Sequence, residues 1–268
     1  MAVMKSELEE KYHYLYENLQ KAPLKELKEF VKTWEMPENK KDISYFSPNH
    51  ILELYLYEYK VQGEKFEILD WKLHLIYREL AERYTKKDDL AMALSYYEKA
   101  LDFNPVDVEI LYGLAHLYRN SGNFDMLYQT ALRMYPFCYT RSDMSKYYRL
   151  LGMFFLETYQ PELAEALYEY SEYYYPNEVA SKEIEFLEKA LKRKHQVREI
   201  SELQEILKKK SIPVTPRQET MGLLYKTAQL ELDRNNTEYA SYLFLFLYQL
   251  TGDEEAGEIL TRLGHPVK

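Results

Sequence analysis

Apolar residues recur at helical spacing along most of the chain. From Lys5 to Leu19 they fall at Leu8, Tyr12, Leu15 and Leu19, one stripe of an amphipathic helix. Pro23, at a first helical position, opens a second helix to about Trp34, with Leu24, Leu27, Phe30 and Val31 inward. Met36 to Phe46 is polar, carries Pro37 and two adjacent lysines, and reads as a loop. Ser47-Pro48 reads as the next helix start, with serine at the cap and proline in the first turn, and that helix stops near Gly63. No alternating run bounded by turn residues predicts a strand.

The pattern sharpens after Trp71. One window reads Tyr77, Leu80, Ala81, Tyr84, Ala93, Tyr97, Ala100, Pro105; a later one reads Tyr148, Leu151, Gly152, Phe155, Ala164, Tyr168, Ser171, Pro176. Their internal spacings are identical. Between them Leu111, Leu114, Ala115 and Tyr118 sit 34 residues after their counterparts, although Leu127 takes a small-residue position and Pro136 comes early. Small residues let two antiparallel helices approach, and the aromatics fill the space around the contact. Ala93 and Ala164 are therefore expected at close helix crossings.

Both windows resemble the tetratricopeptide repeat, a two-helix unit of 34 residues. The resemblance implies an all-α fold, a right-handed superhelix of antiparallel helix pairs (an α-solenoid), in which each pair covers its apolar face by stacking on the next. The expected organisation is an N-terminal helical segment over 1–70 packing on the repeats and three repeats over 71–178. A degenerate helix pair follows over 179–215, then a last repeat with a C-terminal capping helix over 216–268. Thr215-Pro216-Arg217-Gln218 reads as a capping box that starts this last repeat. Tyr239 to Leu250 is apolar nearly all round, so it is expected either to be buried completely by the closing helix or to form a homodimer contact.

Composition adds two points. Among 268 residues there are 8 glycines and 28 tyrosines, which suits helices joined by short turns and half-buried aromatic seams. The formal net charge of −9 disfavours nucleic acid as a partner. A polar Met1–Leu15 stretch, one cysteine and no apolar run of spanning length lead to the expectation of a cytoplasmic protein that does not enter a membrane.

Chemistry is sparse. His13, His50, His74, His116, His195 and His265 form no metal-binding spacing, and there is no phosphate loop or nucleophile elbow. No catalytic residue, cofactor or metal is expected. Cys138 reads as a small apolar filler. Lys189–Lys210 is basic but carries Glu199, Glu202 and Glu205, and reads as a solvated face. The run Tyr168, Tyr170, Tyr173, Tyr174, Tyr175 is denser than one helix face can bury, so an exposed tyrosine ridge is a second candidate contact surface.

What the resemblance implies for function is a scaffold holding a protein or peptide in a concave groove lined by the first helix of each repeat. The groove positions carried over include Arg78, Tyr112, His116, Arg119, Lys146 and Arg149. Arginine forks suit carboxylates, so the expected ligand is an acidic or C-terminal peptide segment. A peptide-responsive regulator of the bacterial tetratricopeptide kind is the alternative, and an enzyme on a helical scaffold ranks last. As to assembly, monomer and homodimer stay open.

Overall fold

The computed structural model of the chain describes residues 2–34 and 44–266, so the loop expected from Met36 falls outside it up to residue 43. Among the described residues there are fourteen α-helices, one 3-10 turn and two short strands. Neighbouring helices pack in pairs, an all-α architecture of the tetratricopeptide solenoid class. The chain divides into two compact units, residues 1–117 and 118–268.

The first unit comprises α1 (Ala2–Glu17), α2 (Leu24–Thr33), β1 (Ser44–Phe46), α3 (Ile51–Val61), β2 (Phe66–Ile68), α4 (Leu73–Lys86), α5 (Leu90–Phe103) and most of α6 (Val108–Asn120). In the α4–α5 pair Ala81, Ala93 and Ala100 are fully buried. Tyr77 stacks on Phe103 at 5.6 Å between ring centroids, and Tyr84 on Tyr96 at 5.5 Å. The N-terminal helices dock on α4. The Arg83 guanidinium donates to the carbonyls of Leu19, Gln20 and Ala22 in the α1–α2 turn, and Tyr12 stacks on Trp71 at 4.9 Å.

Two expectations are corrected here. The chain is not strand-free: β1 and β2 pair in parallel, Ser44 opposite Phe66 and Phe46 opposite Ile68, with α3 as the crossover. Three-residue strands are too short to show alternation, and Tyr45 and Phe46 are buried in succession, so periodicity could not report them. Nor does α3 start at Ser47-Pro48. Ser47 donates its hydroxyl to the Trp71 carbonyl at 2.7 Å, and the helix begins at Ile51. There the Glu53 carboxylate accepts the Asn49 backbone N–H at 2.7 Å.

The second unit holds α7 (Phe124–Met134), a 3-10 turn (Tyr135–Phe137), α8 (Arg141–Glu157), α9 (Pro161–Tyr174), α10 (Glu178–Leu191), α11 (Ile200–Lys209), α12 (Gln218–Asp233), α13 (Thr237–Thr251) and α14 (Glu254–Arg262). A reciprocal capping box, Thr140 with Asp143, starts α8. In the α8–α9 pair Ala164 is fully buried, and Gly152 lies under the fully buried Tyr168 ring. A Cβ at Gly152 would stand 2.9 Å from that ring; at Gly222 in α12 it would meet nothing within 4 Å. The same substitution should therefore act with opposite signs. Gly222→Ala should stabilise by about 0.5–1 kcal/mol through helix propensity. Gly152→Ala should destabilise by about 1–2 kcal/mol, because overpacking outweighs that gain. Urea unfolding of the two variants checks this, and equal signs would refute the Gly152–Tyr168 packing.

Helices α10 and α11 both pack chiefly on α9 rather than pairing with each other, so the expected helix pair over 179–215 does not form as a hairpin. The chain from Lys192 to Glu199 is clamped onto α9. Arg193 forks onto Glu165 at 2.8 and 3.1 Å, His195 reaches Glu165 at 3.1 Å, and Arg198 reaches Glu169 at 2.8 Å. Burial pushes the Glu165 carboxyl up, but Arg193 and His195 outweigh it and hold the group below its usual range. Two arginines of the basic stretch are thus internal fasteners.

The capping box expected at Thr215 is also corrected. Helix α12 starts at Gln218 with no side-chain cap, because 213–215 is held by four tyrosines instead. Tyr148 donates to the Pro213 carbonyl at 2.9 Å, Tyr170 and Tyr174 to that of Val214 at 2.7 and 3.1 Å, and Tyr135 to that of Thr215 at 2.7 Å. Burial pushes all four phenols up, Tyr135 to about 12, so each remains a protonated donor. The expected tyrosine ridge is therefore largely covered: Tyr168, Tyr170 and Tyr174 are buried, and only Tyr173 and Tyr175 of that run are exposed. Burial of α13 is incomplete. Ala240, Leu243, Phe244 and Leu247 are buried, with Ile259 and Leu260 of the adjoining α14, but Tyr242 is exposed.

Candidate protein-binding groove

The residues expected to read a peptide meet different fates. Arg78, in the first unit, pairs with Glu82 one turn on at 3.4 Å. Tyr112 and His116 are half-buried and meet edge to face at 4.6 Å. In the second unit Lys146 is half-buried. Arg119 lies between two carboxylates, Glu157 at 3.0 Å and Glu183 at 3.2 Å. Arg149 corrects the expectation of an open strip: it is 3% exposed, and its guanidinium donates to Ser145 Oγ at 2.6 Å. The resemblance puts it on the groove face of α8, but burial removes it from any ligand. Of the three arginines expected to meet carboxylates, two already bind this chain's own acids and the third is enclosed.

Ser47, His74 and Asp107 come together in the first unit. His74 Nδ1 lies 3.1 Å from Ser47 Oγ, and its Nε2 lies 2.9 Å from Asn49 Oδ1 and 3.9 Å from Asp107. All three are buried, and Ser47 spends its hydroxyl on the Trp71 carbonyl. Asp107 also caps α6, accepting from the N–H groups of Glu109 and Ile110 at 2.8 and 3.2 Å. This is a fastening of the strand corner to α4 and to the α5–α6 turn. Burial lowers His74 to about 3 and neighbouring His50 to about 4, and raises Asp107. Both histidines are harder to protonate when folded, so their stability contribution is full above pH 6.5 and is lost as pH falls from there towards 4. Asp107, raised, acts in the opposite direction. The net expectation is a loss on the order of 1 kcal/mol per pH unit between pH 6 and 4.5. Urea titrations at stepped pH, with His74→Gln flattening the slope, would check it. Elsewhere, Cys138 is fully buried, and burial pushes its thiol well up, which fits a filler.

One open groove of the second unit lies beside Arg119. The end of α8 supplies Leu156 and Glu157, the α8–α9 turn supplies Tyr159, and α10 supplies Glu183, Phe186 and Leu187, around a groove of about 620 Å³. Two aromatics stand out from it: Tyr159 is 93% exposed and Phe186 is 55% exposed. Tyr159 has φ +61°, in the left-handed region. The turns of α4–α5, α6–α7 and α12–α13 hold the same conformation at Asp88, Gly122 and Asn235. Glycine, asparagine and aspartate are the residues that enter this region at least cost; tyrosine is not among them. Aligning the four short turns in the sequence would have singled out Tyr159. Phe186 carried no such mark, since an apolar residue on an amphipathic helix reads as core.

A family profile described as a tetratricopeptide repeat matches residues 96–126, from the middle of α5 through α6 into α7. No curated protein matches the chain. No helix among the described residues is long and apolar enough to cross a membrane. With paired helices at repeat spacing on either side, the stretch 96–126 across α6 is similar to a tetratricopeptide repeat.

Proposed function

We propose that the protein is an interaction scaffold that docks a partner polypeptide in the groove between the end of α8 and α10. Binding proteins or peptides is the work of this repeat family. The observation that carries the reading to this groove is Tyr159. An aromatic ring is kept almost wholly in solvent, at a backbone position where it costs about 1 kcal/mol relative to glycine or asparagine. Exposed aromatics at the mouth of an apolar groove are the usual anchors of interfaces. The earlier expectation of an acidic ligand gives way in this reading, because Arg119 is already shared by Glu157 and Glu183.

Tyr159→Asn should raise stability by about 0.5–1 kcal/mol and weaken partner binding, a trade expected of a residue held for function. Thermal unfolding gives the first readout. For the second, a photoreactive benzophenone side chain at position 159 or 186 should give the same discrete adduct in cells of the native host. The same probe at Tyr242, exposed on α13, should give none. Adducts of equal yield at Tyr242, or none at 159 and 186, would refute the groove.

A further inference from the structure

The geometry of α10 points to a particular occupant: we propose that the groove takes a cationic amphipathic helix of about three turns from a partner protein. This rests on the reading of the groove as the docking site and adds the shape and charge of what docks.

Shape comes from α10. Val179, Glu183, Phe186 and Ala190 are spaced four, three and four residues apart, so they share one face of the helix. Val179, Phe186 and Ala190 are exposed on it. The stripe runs about 16 Å along the axis, the length of three helical turns. Among the described residues α10 packs substantially on α9 alone, α11 turns back onto α9 as well, and only the end of α8 and Arg119 border that face across the groove. The flank is therefore cut for a helix, and ridges at three- and four-residue spacing accept the ridges of another.

Charge comes from the floor. The groove is lined by Arg119, Glu157 and Glu183, one positive group against two negative ones, and by apolar side chains otherwise. Arg119 is only 25% exposed and touches both acids, so it cannot serve a partner carboxylate without releasing one of them. A lysine or arginine flanking the partner's apolar stripe would face the spare negative charge; an aspartate or glutamate there would be repelled.

The test uses the full-length protein and two fluorescently labelled 18-residue peptides with the same leucine stripe, one with lysine and one with glutamate on the polar face. Anisotropy titrations are run at about 0.15 M salt, where long-range attraction is screened. The lysine peptide should bind roughly tenfold more tightly than the glutamate peptide. Phe186→Asp should weaken the lysine peptide by roughly tenfold although it makes the protein more acidic, and Glu183→Gln should narrow the gap between the peptides. Circular dichroism should confirm that both variants fold. Equal binding of the two peptides, both lost in Phe186→Asp, would overturn the cationic helix and leave the groove reading standing. Lysine-peptide binding that is unchanged or tighter in Phe186→Asp is diffuse attraction and would overturn both. Binding of neither peptide overturns the helical occupant. Concentration-dependent dimers abolished by Phe186→Asp would show a second copy of this chain as occupant, and overturn the proposal.

Discussion

Glu53→Ala is expected to remove about 3–5 kcal/mol from the stability of the first unit, the scale on which a buried charge or its network is broken. Glu53 is 4% exposed and organises the strand corner. Its two oxygens accept the Asn49 backbone N–H at 2.7 Å, the Asn49 side-chain amide at 2.9 Å and the Asn104 amide at 2.8 Å. Alanine leaves those donors short of partners at a site that water reaches poorly. The Asn49 amide keeps Asp107 at 3.0 Å and the Asn104 amide keeps the Ser47 carbonyl at 3.2 Å, which caps the damage below the loss of every bond. Glu58→Ala on the exposed side of the same helix should change stability by less than about 0.5 kcal/mol. Chemical unfolding of the pair isolates the buried carboxylate; equal effects would show that the polar cluster contributes no stability.

Arg149→Glu should be as damaging, about 3–5 kcal/mol, while Arg149→Met should lie within about 1 kcal/mol of the parent or above it. The arginine is enclosed in the second unit, where its guanidinium donates to Ser145 and, among the described residues, its Nε has no partner. Methionine keeps much of the volume and buries no charge. Glutamate buries a charge on a shorter side chain and leaves a void beside it. An Arg149 lining an open groove, as expected from the sequence, would instead accept glutamate with little loss of stability. Unfolding curves for the two variants decide between a binding arginine and a buried one: an unaltered midpoint for Arg149→Glu would restore the first.

How much was legible follows from what kind of contact each residue makes. The register of Tyr77 to Ala100 and of Tyr148 to Ser171 could be read directly, because a helix crossing requires small residues at fixed spacing. The buried cluster around Glu53 could not, since Asn49 meets Asp107 across 58 positions and no local period links them. Arg149 was expected on the groove side of α8 from its place in the repeat, which does not say whether anything lies over that side. Tyr159 escaped notice because the repeat pattern weighs helix positions and skips turns. Phe186 was missed because an apolar residue on a helix resembles core until the fate of the next helix is known, and α11 folding back onto α9 is decided by Glu165 and Glu169 meeting Arg193 and Arg198.

The four tyrosines that hold 213–215 have a consequence for how this part of the chain can change over generations. They address main-chain carbonyls, which every amino acid carries, so the side chains at Pro213, Val214 and Thr215 are free to drift while the backbone keeps its path. The hydroxyls have less freedom, since phenylalanine at Tyr135 or Tyr148, or at Tyr170 and Tyr174 together, would strand a carbonyl. A lineage of this protein would then keep its tyrosines fixed and let the strap they hold diverge. Comparisons by side-chain identity would lose the strap first.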